Sequence, residues 1–234
     1  LAMVSVPSFA PDAFVDGVGH ARWNEWRNDP RAPLVNKATA GVYPPGSTYK
    51  MVTALAALEL GIIDQDTTFY CPGFLQMGRA RFHCWRSWGH GSLALVQGLA
   101  QSCDVFFYET GKRVGIDNLA AMSRRFGLGG PTGIDLPTER EGLIPTRAWK
   151  EEAVGEKWQP GETVVCSIGQ GFVSATPLQL AVMTARIANG GYAIEPWIVR
   201  PPMGRAAPRE PAPSLGISPL SLALVREGMF EVVN

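Results

Sequence analysis

From Thr48 to Leu60 the chain contains no Gly or Pro, and between Ser47 and Glu59 its only charged residue is Lys50. Small or apolar residues occupy nearly every side of the helix this stretch predicts, and Gly61 offers a stop. A helix that is apolar all round has to be buried. The fold must therefore close around this rod. Pro44-Pro45-Gly46 fixes how the chain enters it. The 234 residues, 46 % hydrophobic and 18 % charged, suffice to bury a core of that kind and argue against disorder.

Ser47 sits where the proline-fixed segment becomes the buried helix. Free backbone N–H groups and the helix dipole favour developing negative charge there. Lys50 follows three residues later, about one turn on, so the two side chains share a face. Burial of an ammonium disfavours its charged form. An uncharged amine can take the serine proton and make the hydroxyl a nucleophile. S-x-x-K alone also fits a serine cap followed by a snorkelling lysine. The Pro-Pro-Gly approach and the apolar helix weigh against that reading. Ser102-Cys103-Asp104 then falls at a break between two helices. A hydroxyl there could relay a proton to Lys50, and Asp104 could face the substrate.

Around this centre, Leu1 to Val6 reads as a strand ending at Pro7, and residues 10–46 as irregular. Residues 62–91 form a connection longer than a core-held loop, which implies a function or another means of support. Helices are predicted from Ser92 to about Gln101, after Asp104, and from Asp117 to Gly127. Residues 127–172 read as loop with a few short strands. Thr176-Pro177 and Ser218-Pro219 start two further helices, with a strand within Tyr192 to Arg200 and an extended proline-rich loop over 201–213. Gly169-Gln170-Gly171 reads as a tight turn, and Trp85, Trp88, Trp149 and Trp158 as packing residues or loop anchors. Strands at both ends with helices between imply an α+β fold.

With 21 basic and 21 acidic residues, the chain offers no charge excess for gripping nucleic acid. No apolar run reaches the roughly 18 residues of a membrane span. Leu1 to Phe9 lacks the basic and apolar regions of a signal peptide. The chain, which starts at Leu1, is expected to be part of a longer protein.

Cys71, Cys84, His90 and Cys103 lie within 33 residues and offer three thiols and an imidazole, a set that tetrahedral zinc accepts. His83 is a spare candidate. One ion would tie the 62–91 connection to the break at Ser102. A Cys71–Cys84 disulfide in an oxidising compartment and unrelated buried thiols remain alternatives. Cys166, in an apolar stretch, reads as a small buried hydrophobe.

S-x-x-K followed by S-x-[ND] resembles the penicillin-binding protein and serine β-lactamase superfamily. Gly41-Val42-Tyr43-Pro44-Pro45-Gly46-Ser47 is similar to the nucleophile segment of class B penicillin-binding proteins. Trp88-Gly89-His90-Gly91, Thr132-Gly133-Ile134-Asp135-Leu136, Pro145-Thr146-Arg147-Ala148-Trp149-Lys150 and Ile168-Gly169-Gln170-Gly171 follow in the order of its elongation-type members. The resemblance covers essentially the whole chain. It implies a transpeptidase fold with helices packed on a mainly antiparallel sheet. It also implies Ser47 as acylated nucleophile, Lys50 as base, Ser102 as relay and Asp104 where most relatives carry Asn. The implied reaction is D,D-transpeptidation of D-Ala-D-Ala stem peptides, with β-lactams acylating the same serine and no cofactor needed for the acyl transfer. Some relatives hold zinc near the 71–103 cluster with mixed Asp, His and Cys ligands.

Further implications are a membrane glycosyltransferase and elongation-complex proteins as partners, and a periplasmic domain anchored in the inner membrane. A penicillin-sensing receptor domain and a serine β-lactamase are the alternatives, with Glu139, Glu141 and Glu151 as candidate deacylating groups. The superfamily's third motif, K-[TS]-G, does not occur after residue 104. Residues 1–234 are therefore expected to be a truncated transpeptidase domain, impaired without that strand and lacking the anchor and N-terminal pedestal.

Overall fold

The structure is a computed structural model that describes residues 2–198 and 211–234. The rod is present as a short 3-10 turn, Gly46–Tyr49, running straight into helix α3, Lys50–Glu59. The other helices are α1 (His20–Asn28), α2 (Lys37–Ala40), α4 (Leu95–Ala100), α5 (Asp104–Val114), α6 (Ile116–Arg125), α7 (Arg147–Val154), α8 (Pro160–Cys166), α9 (Pro177–Ala188) and α10 (Pro219–Glu231). Every residue of α3 from Lys50 to Ala57 is buried. Helices α4, α5, α6 and α10 surround it, and α8 packs against α5. Phe69, Phe106 and Phe107 stack edge to tilted face within this core.

Among the described residues strands are few and all antiparallel. β1 (Phe69–Cys71) pairs with β4 (Gly91–Leu93), setting Cys71 opposite Gly91. β2 (Phe74–Met77) and β3 (Ala80–His83) form a hairpin. The 62–91 connection is thus a pair of ribbons folded against α5. Isolated two-stranded ribbons are marginal in water. These two need other support.

Several boundaries differ from the sequence expectation. The helix expected from Ser92 begins at Leu95, because residues 91–93 are claimed by β4. The expected strand at residues 1–6 is absent from residues 2–6. Among the described residues that segment meets no strand to pair with, and Val4 and Val6 stay exposed. Of the strand expected within 192–200, residues 192–198 show one bridge, Tyr192 to Ser214. Its last two residues, and most of the 201–213 loop, lie outside the described residues. The 127–172 region carries two helices. Thr146 caps α7 by accepting from the Trp149 N–H, and Gln159 and Glu162 form a reciprocal capping box on α8. No described helix is long and apolar enough to cross a membrane.

Candidate active site

The Pro44-Pro45-Gly46 entry delivers Ser47 to the solvent-facing mouth of the rod. Gly46 donates its N–H to the Gly169 carbonyl (2.9 Å), so the expected turn at 169–171 backs the nucleophile segment directly. Lys50, 1 % exposed, lies in the first turn of α3. Its ammonium donates to three acceptors: the Ser102 carbonyl (2.8 Å), Ser102 Oγ (3.0 Å) and Asp104 Oδ1 (2.7 Å). Three donors meet three acceptors, so the buried charge is fully compensated. Lys50 has no hydrogen bond of its own to Ser47. The Ser102 hydroxyl stands between them and donates to Ser47 Oγ at 2.8 Å. All four expected active-site residues therefore converge, connected as Ser47–Ser102–Lys50–Asp104.

The break at Ser102 has a definite form. The N–H of Ser102 bonds to the Leu99 carbonyl (3.0 Å) and that of Cys103 to the Gly98 carbonyl (2.9 Å). This is the doubly bonded Schellman end of α4, whose left-handed position usually belongs to glycine. Ser102 occupies it with φ 49°. Cys103 then becomes the N-cap of α5, and its side chain turns away from Ser47 into the core.

An apolar cleft of about 310 Å³ opens beside Ser47, Lys50 and Ser102, walled by Met51, Leu99, Met229 and Val232. Sequence reasoning did not include α10 in the site. Met229 in its last turn and Val232 just past its end supply two of these walls, and nothing in residues 219–232 marks that role.

Under the Ser102 break, the ligand atoms of Cys71, Cys84, His90 and Cys103 all lie within 4.8 Å of one another. His90 Nδ1 is 3.5 Å from the sulfurs of both Cys71 and Cys84. The four cysteines are free thiols. The neighbouring Cys103 thiol holds the Cys84 thiol well below its ordinary value, which favours a thiolate there. These four residues could hold one metal ion. His83 is not among them. Its carbonyl instead accepts from the Tyr108 hydroxyl.

None of the three glutamates weighed as deacylating groups bonds to Ser47, Lys50 or Ser102. Glu139 is committed to Thr132 and Gly133. Trp149 and Trp158 pack on Phe172, and Cys166 is buried, as expected.

Comparison with known proteins agrees with this geometry. The penicillin binding protein transpeptidase domain model matches residues 1–234. The chain is 39 % identical over 241 aligned residues to the peptidoglycan D,D-transpeptidase MrdA of Escherichia coli, spanning 100 % of this chain and 38 % of that protein. It is 43 % identical to the MrdA of Acinetobacter baumannii, over 86 % of this chain and 30 % of that one. Among solved structures, Pseudomonas aeruginosa PBP2 in complex with WCK 5153 superposes with a TM-score of 0.91 at 37 % identity, covering 100 % of this chain and 54 % of the other. Helicobacter pylori PBP2 in complex with MreC gives 0.90 at 34 % identity, covering 99 % and 42 %. The chain thus spans well under half the length of the E. coli and A. baumannii relatives.

Proposed function

The chain belongs to the penicillin-binding protein transpeptidase family, and on that premise we propose that it forms the acyl-transfer core of an elongation-type peptidoglycan D,D-transpeptidase. The observation that carries this reading is the continuous path from the Ser47 hydroxyl through Ser102 to the buried Lys50 amine. In the resting arrangement Lys50 is the donor. For reaction the ammonium first gives one of its three protons to Asp104 Oδ1, 2.7 Å away, and both bonds along the path then reverse. Ser47 then passes its proton through Ser102 to Lys50 as its oxygen attacks the penultimate D-Ala carbonyl of a stem peptide. The C–N bond to the terminal D-Ala breaks, and the returning proton leaves with that amine. An amine of a neighbouring stem peptide resolves the ester on Ser47 by the same path in reverse. The Ser47 N–H, in the first turn of the 3-10 entry, would donate to the developing oxyanion. A β-lactam carbonyl would be attacked in the same way.

The cluster of three thiols and one imidazole fits structural zinc. Zn–S bonds of about 2.3 Å and Zn–N bonds of about 2.0–2.1 Å at tetrahedral angles put neighbouring S and N ligands about 3.6 Å apart. The 3.5 Å from His90 Nδ1 to two sulfurs matches that spacing. Bound there by Cys71, Cys84, His90 and Cys103, zinc would supply cross-linking only. It would brace the two short ribbons and the start of α5.

The substrate of such a reaction lies outside the inner membrane, which supports a periplasmic location for this domain, with the anchor in that membrane part of the same reading. MreC-like and glycan-polymerising partners are inferred from the assemblies that relatives form. Mass spectrometry after exposure to a penicillin tests the reading. A stable adduct on Ser47, lost in Ser47→Ala, is expected. Release within seconds would favour a hydrolase, and no adduct would overturn the proposal.

A further inference from the structure

Ser102 must aim its hydroxyl at Ser47 from a backbone conformation that costs a non-glycine residue about 1–2 kcal/mol. Such strain persists only where the surroundings over-determine it. The Schellman bonds fix the N–H side of the peptide joining Gln101 to Ser102. The carbonyl side of that same plane faces outward, past the end of α4, where no later helical turn can donate to it. Its donor is the indole Nε1–H of Trp85, at 3.1 Å. Because the peptide is planar, holding both its edges sets the φ of Ser102 and with it the direction of Oγ.

Trp85 holds the other end of the same stretch as well. Its backbone N–H donates to Asp104 Oδ2 at 2.9 Å, while Asp104 Oδ1 accepts from Lys50. The indole also meets the His90 ring edge to face, with centroids 5.3 Å apart. One residue of the ribbon region therefore grips residues 101 and 104, the two flanks of the relay serine. Yet Trp85 is 64 % exposed and contributes little to the core.

We propose that Trp85 is a positioning residue for acylation, whose indole N–H locks the Gln101–Ser102 peptide plane and so aligns Ser102 between Ser47 and Lys50. This rests on the serine-acylation reading above. Phe at position 85 keeps an aromatic ring against His90 and removes only the donor.

The test is the acylation of the intact protein by a fluorescent penicillin, with the rate constant at saturation separated from the preceding dissociation constant. Trp85→Phe and Trp85→Ala are compared with wild type, and melting temperature and zinc content are recorded for each. Losing one hydrogen bond of ordinary strength predicts an acylation rate lower by about fivefold in both variants. The dissociation constant, melting temperature and zinc content of Trp85→Phe should stay at wild-type values. A Phe variant that acylates at the wild-type rate overturns the proposal, as does one whose slower acylation tracks lost zinc or a lowered melting temperature. Absence of any Ser47 adduct on the wild-type protein would overturn the acylation reading itself, and this inference with it.

Discussion

Ser102 Oγ reaches Ser47 Oγ across 2.8 Å from a backbone at φ 49°, so the relay hydroxyl occupies a position that helix-capping rules would assign to glycine. Removing the hydroxyl and relieving the backbone can therefore be separated. Ser102→Ala and Ser102→Gly both delete the relay and both leave Lys50 short of one acceptor. Only Gly relaxes the left-handed strain, which makes it the more stable variant by about 1 kcal/mol. Both should slow acylation by a penicillin about 10²–10⁴-fold, the range of a lost proton-transfer group. Thermal melts beside acylation rates check this. Equal melting temperatures for the two variants would mean that the strain is not real.

Gly169 backs the nucleophile turn so closely that a Cβ there would stand 2.3 Å from the Gly46 carbonyl oxygen and 2.7 Å from Tyr49 Cβ. Its φ of 71° adds backbone strain to any side chain. Gly169→Ala should destabilise by about 1–3 kcal/mol from overpacking, and more with the strain added. Because the displaced atoms adjoin Ser47, acylation should fall as well. Gly155→Ala is the control. Its φ is 77°, but a Cβ there meets nothing within 4 Å. It should lose only the conformational part of the stability and keep its acylation rate.

Much of the site was readable in the residues because its chemistry is local. Ser47, Lys50 and their apolar helix announce each other within one turn. The second polar triplet needed only a helix break to be noticed. What the residues withheld is the relation between distant segments. That Ser102, not a direct contact, joins Lys50 to Ser47 depends on the left-handed end of α4. That Met229 and Val232 wall the cleft depends on how α10 packs. Helices α7 and α8 were missed although Thr146, Gln159 and Glu162 carry ordinary capping signals. The surrounding Gly and Pro hid their short periods. The opening strand failed for the opposite reason, since a short apolar segment ending at Pro7 becomes a strand only beside a partner that sequence alone cannot supply.

Cys103 lies between the two polar residues of the break, with its sulfur in the four-ligand cluster. Protein purified without chelator should carry about one zinc per chain if the donor set is filled as its chemistry suggests. Cys103→Ala should remove that zinc, lower the melting temperature and slow acylation, because the N-cap of α5 then loses its anchor beside Asp104. Stripping zinc from the wild type should reproduce the same changes, reversed on adding the metal back. Full acylation in a metal-free sample would detach the cluster from the chemistry.

Gly111 offers a case where helix propensity and packing predict opposite signs. It lies inside α5, where Gly→Ala ordinarily gains about 0.8–1.0 kcal/mol. Here a Cβ would stand 2.2 Å from Ser167 Cβ, in the contact between α5 and the end of α8. Ser167 cannot simply move aside. Its hydroxyl donates to the carbonyls of Phe107 or Val164, and its own carbonyl accepts from Thr53 Oγ1 of α3 at 2.7 Å. Overpacking at such a site costs about 1–3 kcal/mol. Gly111→Ala should therefore destabilise, against its propensity. Ser167→Gly removes the clashing Cβ and gives up the hydroxyl bonds. The double variant should consequently be more stable than the sum of the two single losses, by a coupling within the roughly 0.5–3 kcal/mol found for residues in contact. Urea unfolding of the four proteins measures that coupling. A coupling near zero would mean that α5 and α8 separate to accept the methyl group, and that the bracket holding Thr53 to Ser167 is softer than its geometry implies.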